Sequence, residues 1–183
     1  MARPLVLVLG GTRSGKSTFG LRRVRELAAG EAVAYLATAR GGVDDAELDD
    51  RIARHRGARP AEWPTIEVGG NLAAAITAAN RAPILLDGLT LWLSALVGDG
   101  VDALDDLDGL LSGPVAEALD SLAAHPAPVV VVSDEIGLGM VPMDPFARRF
   151  RDLQGIVHQL LAAAADEVHL TVAGLPLTLK PRG

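Results

Sequence analysis

Leu5-Val6-Leu7-Val8-Leu9-Gly10-Gly11-Thr12-Arg13-Ser14-Gly15-Lys16-Ser17-Thr18, near the start of the chain, gives the clearest indication of its fold. Five apolar residues of strand-forming type lead into the pattern Gly-x-x-x-x-Gly-Lys-Ser, and a helical pattern follows directly. A strand, a glycine-rich loop and a helix in this order form a P-loop, which binds the phosphates of nucleotides. A glycine-rich turn that matches by chance is the weaker interpretation, because a strand pattern precedes the loop and a helix pattern follows it. The sequence therefore predicts binding of a nucleoside triphosphate.

The predicted loop brings several phosphate-binding groups to one place. Its glycines let the chain curl so that backbone N–H groups point at phosphate oxygens, and the following helix adds its positive end. Lys16 is expected to reach the β- and γ-phosphates, and the Ser17 hydroxyl to bind a Mg²⁺ ion. The chain has two lysines, Lys16 and Lys180, against fifteen arginines, so a lysine at this position is not compositional chance. The expected nucleotide contacts of the loop are Gly10, Gly11, Thr12, Arg13, Ser14, Gly15, Lys16 and Ser17.

Length and composition narrow the class of protein. At 183 residues the chain is expected to form one domain, residues 1–183, with a sizeable core. Apolar residues make up 49% of it and charged residues 22%, which is typical of a folded protein rather than a disordered one. The net charge of −6 and the 3% aromatic content argue against nucleic-acid binding. Without cysteine, the chain has no disulfide, zinc-thiolate or iron–sulfur chemistry.

The sequence carries neither a signal-peptide pattern nor a membrane-spanning pattern. The apolar run 5–9 is too short for a signal peptide and leads into the P-loop. The most apolar later run, residues 83–97, is interrupted by Asp87 and falls short of a membrane span. A cytoplasmic protein with no membrane partner is therefore expected.

Strand-like and helix-like segments alternate along the chain. Strand patterns are predicted at residues 5–9, 32–37, 65–68, 83–87 and 128–133, and at 167–172 and 175–179 as a hairpin through Gly174. Helix patterns are predicted at residues 18–29, 44–56, 71–80, 89–97, 115–124 and 145–165, with loops at 98–108 and 134–144. This order predicts an α/β fold in which a mainly parallel sheet carries helices on both faces and ends in an antiparallel hairpin. In such sheets ligands bind at the carboxyl ends of the strands.

Asp87 ends the apolar strand pattern Ile-Leu-Leu-Asp at one of these ends. A carboxylate in this position of a P-loop enzyme holds Mg²⁺ directly or through water. The alternative is an Asp that caps a helix or forms a turn before Gly88. The metal role is favoured, because a carboxylate at a buried strand end needs a strong partner.

Four histidines, His55, His125, His158 and His169, are the candidates for nucleophilic or acid–base chemistry. Three are expected to be surface or packed residues, with His125 in a turn before Pro126 and His169 in an edge strand. His55 differs because it has Arg51, Arg54, Arg56 and Arg59 around it. Arginines attract phosphates and favour a neutral, nucleophilic imidazole. Catalysis by His55 and a solvated basic helix end both remain open on this pattern alone.

Several segments together resemble one known family. They are the P-loop, then Tyr35-Leu36-Ala37-Thr38, then Arg51-Ile52-Ala53-Arg54-His55-Arg56 leading to Arg59-Pro60-x-x-Trp63, then Glu135-Ile136-Gly137-Leu138-Gly139-Met140-Val141-Pro142, and Arg151-Asp152-x-x-Gly155. In this order they resemble the bifunctional adenosylcobinamide kinase / adenosylcobinamide-phosphate guanylyltransferases of cobalamin biosynthesis, from Leu5 to about Ala173. Many families share a P-loop, whereas the arginine–histidine and Glu-x-Gly-x-Gly-x-Val-Pro segments are far more specific.

The resemblance implies a RecA-like P-loop fold, two reactions and a trimer. In the first reaction the hydroxyl of the aminopropanol arm of the corrinoid takes the γ-phosphoryl group of ATP or GTP, with Lys16 as a catalytic residue. In the second, GMP passes from GTP to that phosphate through a guanylyl-histidine, which His55 matches. Mg²⁺ is implied at Ser17 and Asp87. Further GTP contacts are implied at Ala37, Thr38, Ala39, Arg56, Gly57, Ala58, Arg59, Glu67 and Asp87.

The chain departs from the family pattern at several of these positions. Arg54-His55 stands where relatives commonly have two histidines, so one candidate nucleophile remains. Relatives often have Asn in place of Asp134 and of His158, which makes His158 a helix-surface or packing residue. Some relatives have Glu in place of Asp87, which is shorter by one methylene. Gly57 and Ala58 have only main-chain atoms to offer a nucleotide.

Three other functions compete with this interpretation. A plain small-molecule kinase would transfer the γ-phosphoryl group and leave His55 idle. A GTP-dependent switch usually carries an Asn-Lys-x-Asp motif, which the chain lacks: its two asparagines are Asn71 and Asn80. A DNA-dependent ATPase is disfavoured by the acidic balance and the shortage of aromatic residues.

Overall fold

Seven strands form one sheet in the part of the chain that the computed structural model describes, residues 3–38, 57, 59–98 and 104–183. The strands are β1 (Leu5–Gly10), β2 (Ala34–Ala37), β3 (Thr65–Glu67), β4 (Ile84–Asp87), β5 (Val129–Asp134), β6 (Glu167–Val172) and β7 (Leu175–Lys180). The helices are α1 (Lys16–Ala28), α2 (Leu72–Ala78), α3 (Leu89–Val97), α4 (Leu107–Leu110), α5 (Ala116–Ala124) and α6 (Pro145–Ala164). A π-helical segment, Leu111–Val115, joins α4 to α5 and is kinked at Gly113 (φ −97°, ψ −109°), next to Pro114.

The strand order is β3-β2-β4-β5-β1-β6-β7, and every neighbouring pair is parallel except β6 and β7. The P-loop strand β1 is therefore central, with β5 on one side and β6 on the other. In this register Gly10 lies opposite Asp134 on β5 and opposite Thr171 on β6. The predicted α/β fold, with its parallel sheet and antiparallel C-terminal hairpin, is confirmed.

Both faces of the sheet are covered by apolar clusters, because side chains alternate along each buried strand. Leu5, Leu7 and Leu9 of β1 join the larger cluster, which contains side chains of α2, α3, α5 and α6. Val6 and Val8 join the cluster on the other face, which contains Val24 and Ala28 of α1. The helices therefore pack on both faces, as predicted from the alternation of elements.

Helix α1 approaches the sheet closely at Gly20. A Cβ atom at this position would lie 2.6 Å from Cγ2 of Val132, a fully buried side chain of β5. Glycine weakens a helix interior, so its place here is explained by packing rather than by helix propensity. The close approach holds α1, which begins at the P-loop lysine, against β5.

The turn of the C-terminal hairpin contacts the P-loop directly. Ala173 and Gly174 have positive φ angles of 52° and 79°, which suit the tight turn between β6 and β7. The backbone N–H of Gly174 donates to the carbonyl of Ser14 over 2.8 Å. Gly15 also has a positive φ of 92°, and a Cβ there would lie 3.0 Å from Cα of Gly174. The hairpin therefore limits Gly15 to glycine and supports the loop from behind.

Two predictions of local structure are corrected. His169 is not in an edge strand, because β7 adds to the sheet outside β6 and leaves β6 between two neighbours. The predicted surface loop 98–108 is only partly a loop, since Leu104 is buried and α4 begins at Leu107 behind an Asp106 cap. The helix predicted at residues 44–56 lies outside the described residues. Among the helices that are described, none is long and apolar enough to cross a membrane.

Candidate active site

Lys16, the P-loop lysine, is buried at the start of α1. Its Nζ atom donates to the carbonyl of Gly11 over 3.2 Å and lies 2.6 Å from Oδ1 of Asp134. The first turn of α1 has neither a capping side chain nor an acidic residue. Its N–H groups and its positive end are therefore available to an anion, as the P-loop pattern predicted.

Ser17 and Asp87, the two predicted Mg²⁺ ligands, are in contact. The Ser17 hydroxyl donates to Oδ1 of Asp87 over 3.0 Å, and the Tyr35 hydroxyl donates to Oδ2 over 3.3 Å. Asp87 ends β4 and its carboxylate faces the P-loop, while Gly88 stands at the cap position of α3. A hydroxyl and a carboxylate brought together by the fold are oxygen ligands of the kind that Mg²⁺ takes, so the residues fit this ion. The described residues contain no group of three or more His, Cys, Asp or Glu that could hold a metal alone, so nucleotide oxygens would have to complete the shell.

Arg59 lies across the same cleft. Its guanidinium carbon is 3.7 Å from the centre of the Tyr35 ring, a stacked cation–π contact. Its Nη1 atom is buried and has no hydrogen-bond partner among the residues that are described. A buried donor without a partner costs free energy, and a nucleotide oxygen or phosphate would satisfy it. The cleft has a volume of about 80 Å³ and is lined by Ser17, Thr18, Leu21, Tyr35, Arg59, Leu85 and Asp87.

The other predicted nucleotide contacts are brought together only in part. Ala37 lies in register with Asp87 on one side and with Glu67 on the other, so all three share the carboxyl edge of the sheet. The Thr38 hydroxyl donates to the carbonyl of Gly88 over 2.9 Å and ties the end of β2 to the β4–α3 turn. Gly57 is exposed. Ala39, His55, Arg56 and Ala58 lie outside the described residues.

Asp134 is the site residue that sequence reasoning missed. It ends β5 directly beside Gly10, which brings its carboxylate to Lys16. Its backbone is held on both sides: its N–H donates to the Thr90 hydroxyl over 2.9 Å, and its carbonyl accepts from Nε2 of Gln154. The available signal was an acidic residue at the end of the most apolar strand pattern in the chain.

A buried chain of hydrogen bonds continues from Thr90 to Glu135. The Thr90 hydroxyl accepts from the N–H of Asp134 and from Gln154, so its own proton goes to Ser133, 3.2 Å away. The Ser133 hydroxyl then donates to Nε2 of His158 over 2.8 Å, which leaves the ring proton on Nδ1, 3.7 Å from Oε2 of Glu135. Burial lowers the pKa of His158, although Glu135 and Asp134 oppose this. His158 is thus a neutral, packed link rather than a helix-surface residue.

The two remaining described histidines are packed, which is one of the two placements, surface or packed, that the sequence predicted. Nε2 of His125 lies 2.8 Å from the carbonyl of Ala82. His169 makes an edge contact with the ring of Phe19 and lies 3.3 Å from Glu167. Glu167 also accepts three hydrogen bonds from Arg23, one from Nε and two from Nη2, so this cluster ties α1 to β6.

A wider cleft of about 700 Å³ opens at the opposite edge of the sheet. Its lining includes Pro4, Pro128 and the end of α1 near Ala28, together with Arg3 and Arg182. None of the P-loop residues or the described predicted ligands borders it. Residues that can bind phosphate or a metal line the smaller cleft at the carboxyl edge of the sheet, and this cleft is therefore the candidate active site.

Comparison with known families gives a match over nearly the whole chain. The sequence profile described as "Cobinamide kinase / cobinamide phosphate guanyltransferase" matches residues 6–179. The match spans the P-loop strand, both predicted metal ligands and the 134–144 segment, so it covers every part of the site described above.

Curated relatives carry names of the same kind. The chain is 43% identical over 176 residues to "Bifunctional adenosylcobalamin biosynthesis protein CobP" of Pseudomonas aeruginosa, which covers 95% of this chain and 96% of the relative. It is 38% identical over 186 residues to "Bifunctional adenosylcobalamin biosynthesis protein CobU" of Salmonella typhimurium, covering 96% and 99%. It is 35% identical to the protein of the same name from Escherichia coli, again covering 96% and 99%.

Solved structures show the same fold at low sequence identity. The flagellar accessory protein FlaH from Methanocaldococcus jannaschii superposes with a TM-score of 0.54 at 13% identity, covering 98% of this chain and 79% of that one. The RadB recombinase gives a TM-score of 0.51 at 21% identity, covering 91% and 73%. These likenesses establish the RecA-like P-loop fold and carry no conclusion about substrates.

Proposed function

The chain belongs to the cobinamide kinase / cobinamide phosphate guanyltransferase family, and we propose from this membership that it catalyses both reactions. It phosphorylates the aminopropanol hydroxyl of adenosylcobinamide with ATP or GTP. It then transfers GMP from GTP to that phosphate and gives adenosylcobinamide-GDP. The observation that carries the proposal is the contact of Ser17 with Asp87 at 3.0 Å, beside the buried Lys16, in a chain whose family match covers residues 6–179.

The kinase step needs a positioned γ-phosphoryl group and compensation of its charge. The substrate hydroxyl oxygen forms a bond to the γ-phosphorus, the bond to the β–γ bridging oxygen breaks, and the nucleoside diphosphate leaves while the hydroxyl proton is released. The N–H groups at the start of α1 and the Nζ atom of Lys16 would bind the phosphates and stabilise the charge on the leaving group. Lys16 must exchange its contact with Asp134 for a phosphate as the nucleotide binds.

Ser17 and Asp87 would hold Mg²⁺ together with oxygens of the nucleotide. When bound, this ion neutralises phosphate charge and polarises the phosphorus that is attacked. Tyr35 and Arg59 complete that side of the cleft. The Tyr35 hydroxyl fixes the second carboxylate oxygen of Asp87, and Nη1 of Arg59, which has no partner among the described residues, is available to the nucleotide.

The guanylyl transfer is assigned to His55 by the family resemblance. An imidazole nitrogen attacks the α-phosphorus of GTP and pyrophosphate leaves, which gives a phosphoramidate. A phosphate oxygen of the phosphorylated corrinoid then attacks the same phosphorus, and the bond to the histidine breaks. The arginines that flank His55 in the sequence favour both the triphosphate and a neutral ring. A homotrimer and a cytoplasmic location are further expectations that depend on the resemblance alone.

Mass spectrometry of the corrinoid products tests the proposal. With Mg²⁺ and ATP the purified protein is expected to give adenosylcobinamide phosphate, and with Mg²⁺ and GTP the GDP derivative. Lys16→Ala should lose both products, whereas His55→Ala should keep the phosphate ester and lose the GDP derivative. Lys180→Ala is the matched control, because it removes the other lysine, whose Nζ contacts carbonyls at the end of α6. Absence of the phosphate ester with wild-type protein would contradict the proposed function.

A further inference from the structure

The loop between β5 and α6, residues 136–143, exposes an unusual set of side chains. Leu138 is 80% exposed, Met140 94%, Val141 66% and Met143 94%. Single exposed apolar residues are ordinary on protein surfaces, but a contiguous group of large ones marks a binding surface. Four such residues within six positions are the densest exposed apolar group on one loop of the described chain.

The backbone of this loop is held in place by its neighbours. The N–H of Gly137 donates to Oε1 of Glu135 over 2.5 Å. From α6, Nη1 of Arg148 donates to the carbonyls of Pro142 and Met143 over 2.9 and 2.7 Å, and Nη1 of Arg151 donates to that of Met140 over 3.2 Å. Two arginine side chains thus hold the main chain of the loop by hydrogen bonds, while its apolar side chains are exposed to solvent. A surface that is shaped before binding loses less entropy when a ligand arrives.

The two residues that lead into the 136–143 loop contact the P-loop. Asp134, the last residue before Glu135, contacts Lys16 at 2.6 Å, and the N–H of Glu135 donates to the carbonyl of Gly10 over 2.9 Å. Met140 follows Asp134 by six residues, which span about 20 Å at most when fully extended. The residues up to Met140 therefore lie within that distance of Asp134, and the proposed acceptor carries its reactive hydroxyl on a side arm that would extend from the loop towards the P-loop.

We propose that the 136–143 loop is the docking surface for the corrin ring of the acceptor substrate. This inference rests on the proposed function, which requires a large apolar macrocycle beside the P-loop. Methionine side chains are flexible and polarisable, so they adapt to the uneven face of such a ring. A second copy of this chain is the other occupant that an apolar loop would suit, and the test separates the two.

The test compares two double variants that remove equal numbers of exposed apolar side chains. Met140→Ser/Met143→Ser changes the loop, and Leu177→Ser/Leu179→Ser changes β7, where the leucines are 57% and 53% exposed. Adenosylcobinamide is coloured, so equilibrium dialysis with absorbance detection measures its binding directly. The loop variant is expected to bind it at least tenfold more weakly, and the β7 variant as the wild type does. Affinity for a fluorescent GTP analogue should be unchanged in both, which also verifies folding.

Other results would overturn the inference. Wild-type affinity for adenosylcobinamide in the loop variant, or an equal loss in the β7 variant, would remove the docking role. A change of sedimentation mass that accompanies the loss in the loop variant would assign the loop to a subunit contact instead. Failure of the proposed function is distinguishable, because the wild-type protein would then form no adenosylcobinamide phosphate, whereas failure of this inference alone leaves that product and an unchanged KM in the loop variant.

Discussion

Nζ of Lys16 lies 2.6 Å from Oδ1 of Asp134, and both side chains are largely shielded from water. The pair joins the phosphate-binding loop after β1 to the end of the adjacent strand β5. Asp134 is held in place through its backbone by Thr90 and Gln154, so its carboxylate does not move away freely. The lysine that is needed by the triphosphate is therefore engaged by a carboxylate, and the incoming phosphates compete with it.

Asp134→Asn should tighten nucleotide binding. The substitution removes a negative charge close to the expected phosphates and frees Lys16, while the similar size of Asn preserves the packing. A gain of about 1 kcal/mol is expected, or roughly fivefold in Kd. Titration with a fluorescent GTP analogue measures it, and Asp120→Asn, at an exposed position of α5, controls for the change in net charge. Weaker binding in Asp134→Asn would mean instead that the carboxylate orients the lysine productively.

Gly20→Ala should destabilise the fold although alanine is the better helix former. Helix propensity favours the change by about 1 kcal/mol, whereas overpacking against Val132 is expected to cost about 1–3 kcal/mol because the new Cβ would lie 2.6 Å from Cγ2. Urea unfolding measures the balance. In a Val132→Ala background the same change should cost less, which isolates the contact.

Gly155→Ala is the matched comparison for Gly20→Ala. Gly155 lies within α6, and a Cβ there would meet no atom within 4 Å. The propensity gain of about 1 kcal/mol should therefore appear as increased stability. Equal effects of the two substitutions would show that the close approach of α1 to β5 does not determine the residue at position 20.

His158→Asn should flatten the dependence of stability on pH as the pH falls below 6.5, the ordinary pKa of histidine. Burial lowers the pKa of His158 below its ordinary 6.5, so the unfolded chain takes up this proton at higher pH than the folded one. The wild-type protein therefore loses stability as the pH falls through 6.5, and a residue that does not titrate removes this contribution. Chemical denaturation at several pH values tests it. Parallel curves for the two proteins would contradict a neutral, buried His158.

Glu167→Gln should lower stability at neutral pH and lose this effect in acid. Burial raises the pKa of the Glu167 carboxyl, but hydrogen bonds from Arg23 and His169 outweigh burial and hold it below its ordinary 4.5. The folded chain therefore binds fewer protons than the unfolded chain in acid, and stability falls as the pH drops below 4.5. The difference between wild type and Glu167→Gln in free energy of unfolding should shrink over that range. A difference that stays constant would show that the ion pair with Arg23 contributes nothing through charge.

Local patterns were sufficient for most of the fold. The P-loop, the helix Leu89–Val97 and the C-terminal hairpin follow from residues close together in sequence, namely glycine spacing, apolar periodicity and turn residues. Non-local pairing explains the misses. His169 was assigned to an edge strand because nothing in its own segment shows that β7 lies outside β6. Leu104 is buried by tertiary packing within a segment whose acidic composition is typical of a surface loop.

In the candidate site, too, the features that local patterns indicate were predicted, and those that depend on non-local pairing were not. Ser17 and Asp87 were each predicted as Mg²⁺ ligands, because each residue lies at a recognisable strand or loop end, and the fold brings the two side chains into contact. The contact of Lys16 with Asp134 depends on β5 being the strand next to β1, which the sequence alone did not specify. The hydrogen-bond chain from Thr90 to His158 joins residues of α3, β5 and α6 that are 25 to 43 positions apart, so no local pattern reveals it.

Covalent labelling by GTP determines whether this chain transfers guanylyl groups through His55. The protein is incubated with Mg²⁺ and GTP labelled on the α-phosphate, denatured, and counted for bound label. We expect an adduct that is stable in alkali, is lost in acid and is absent from His55→Ala. Wild-type protein that transfers the γ-phosphoryl group but never retains the label would contradict it, and would leave a kinase that uses only the P-loop half of the site.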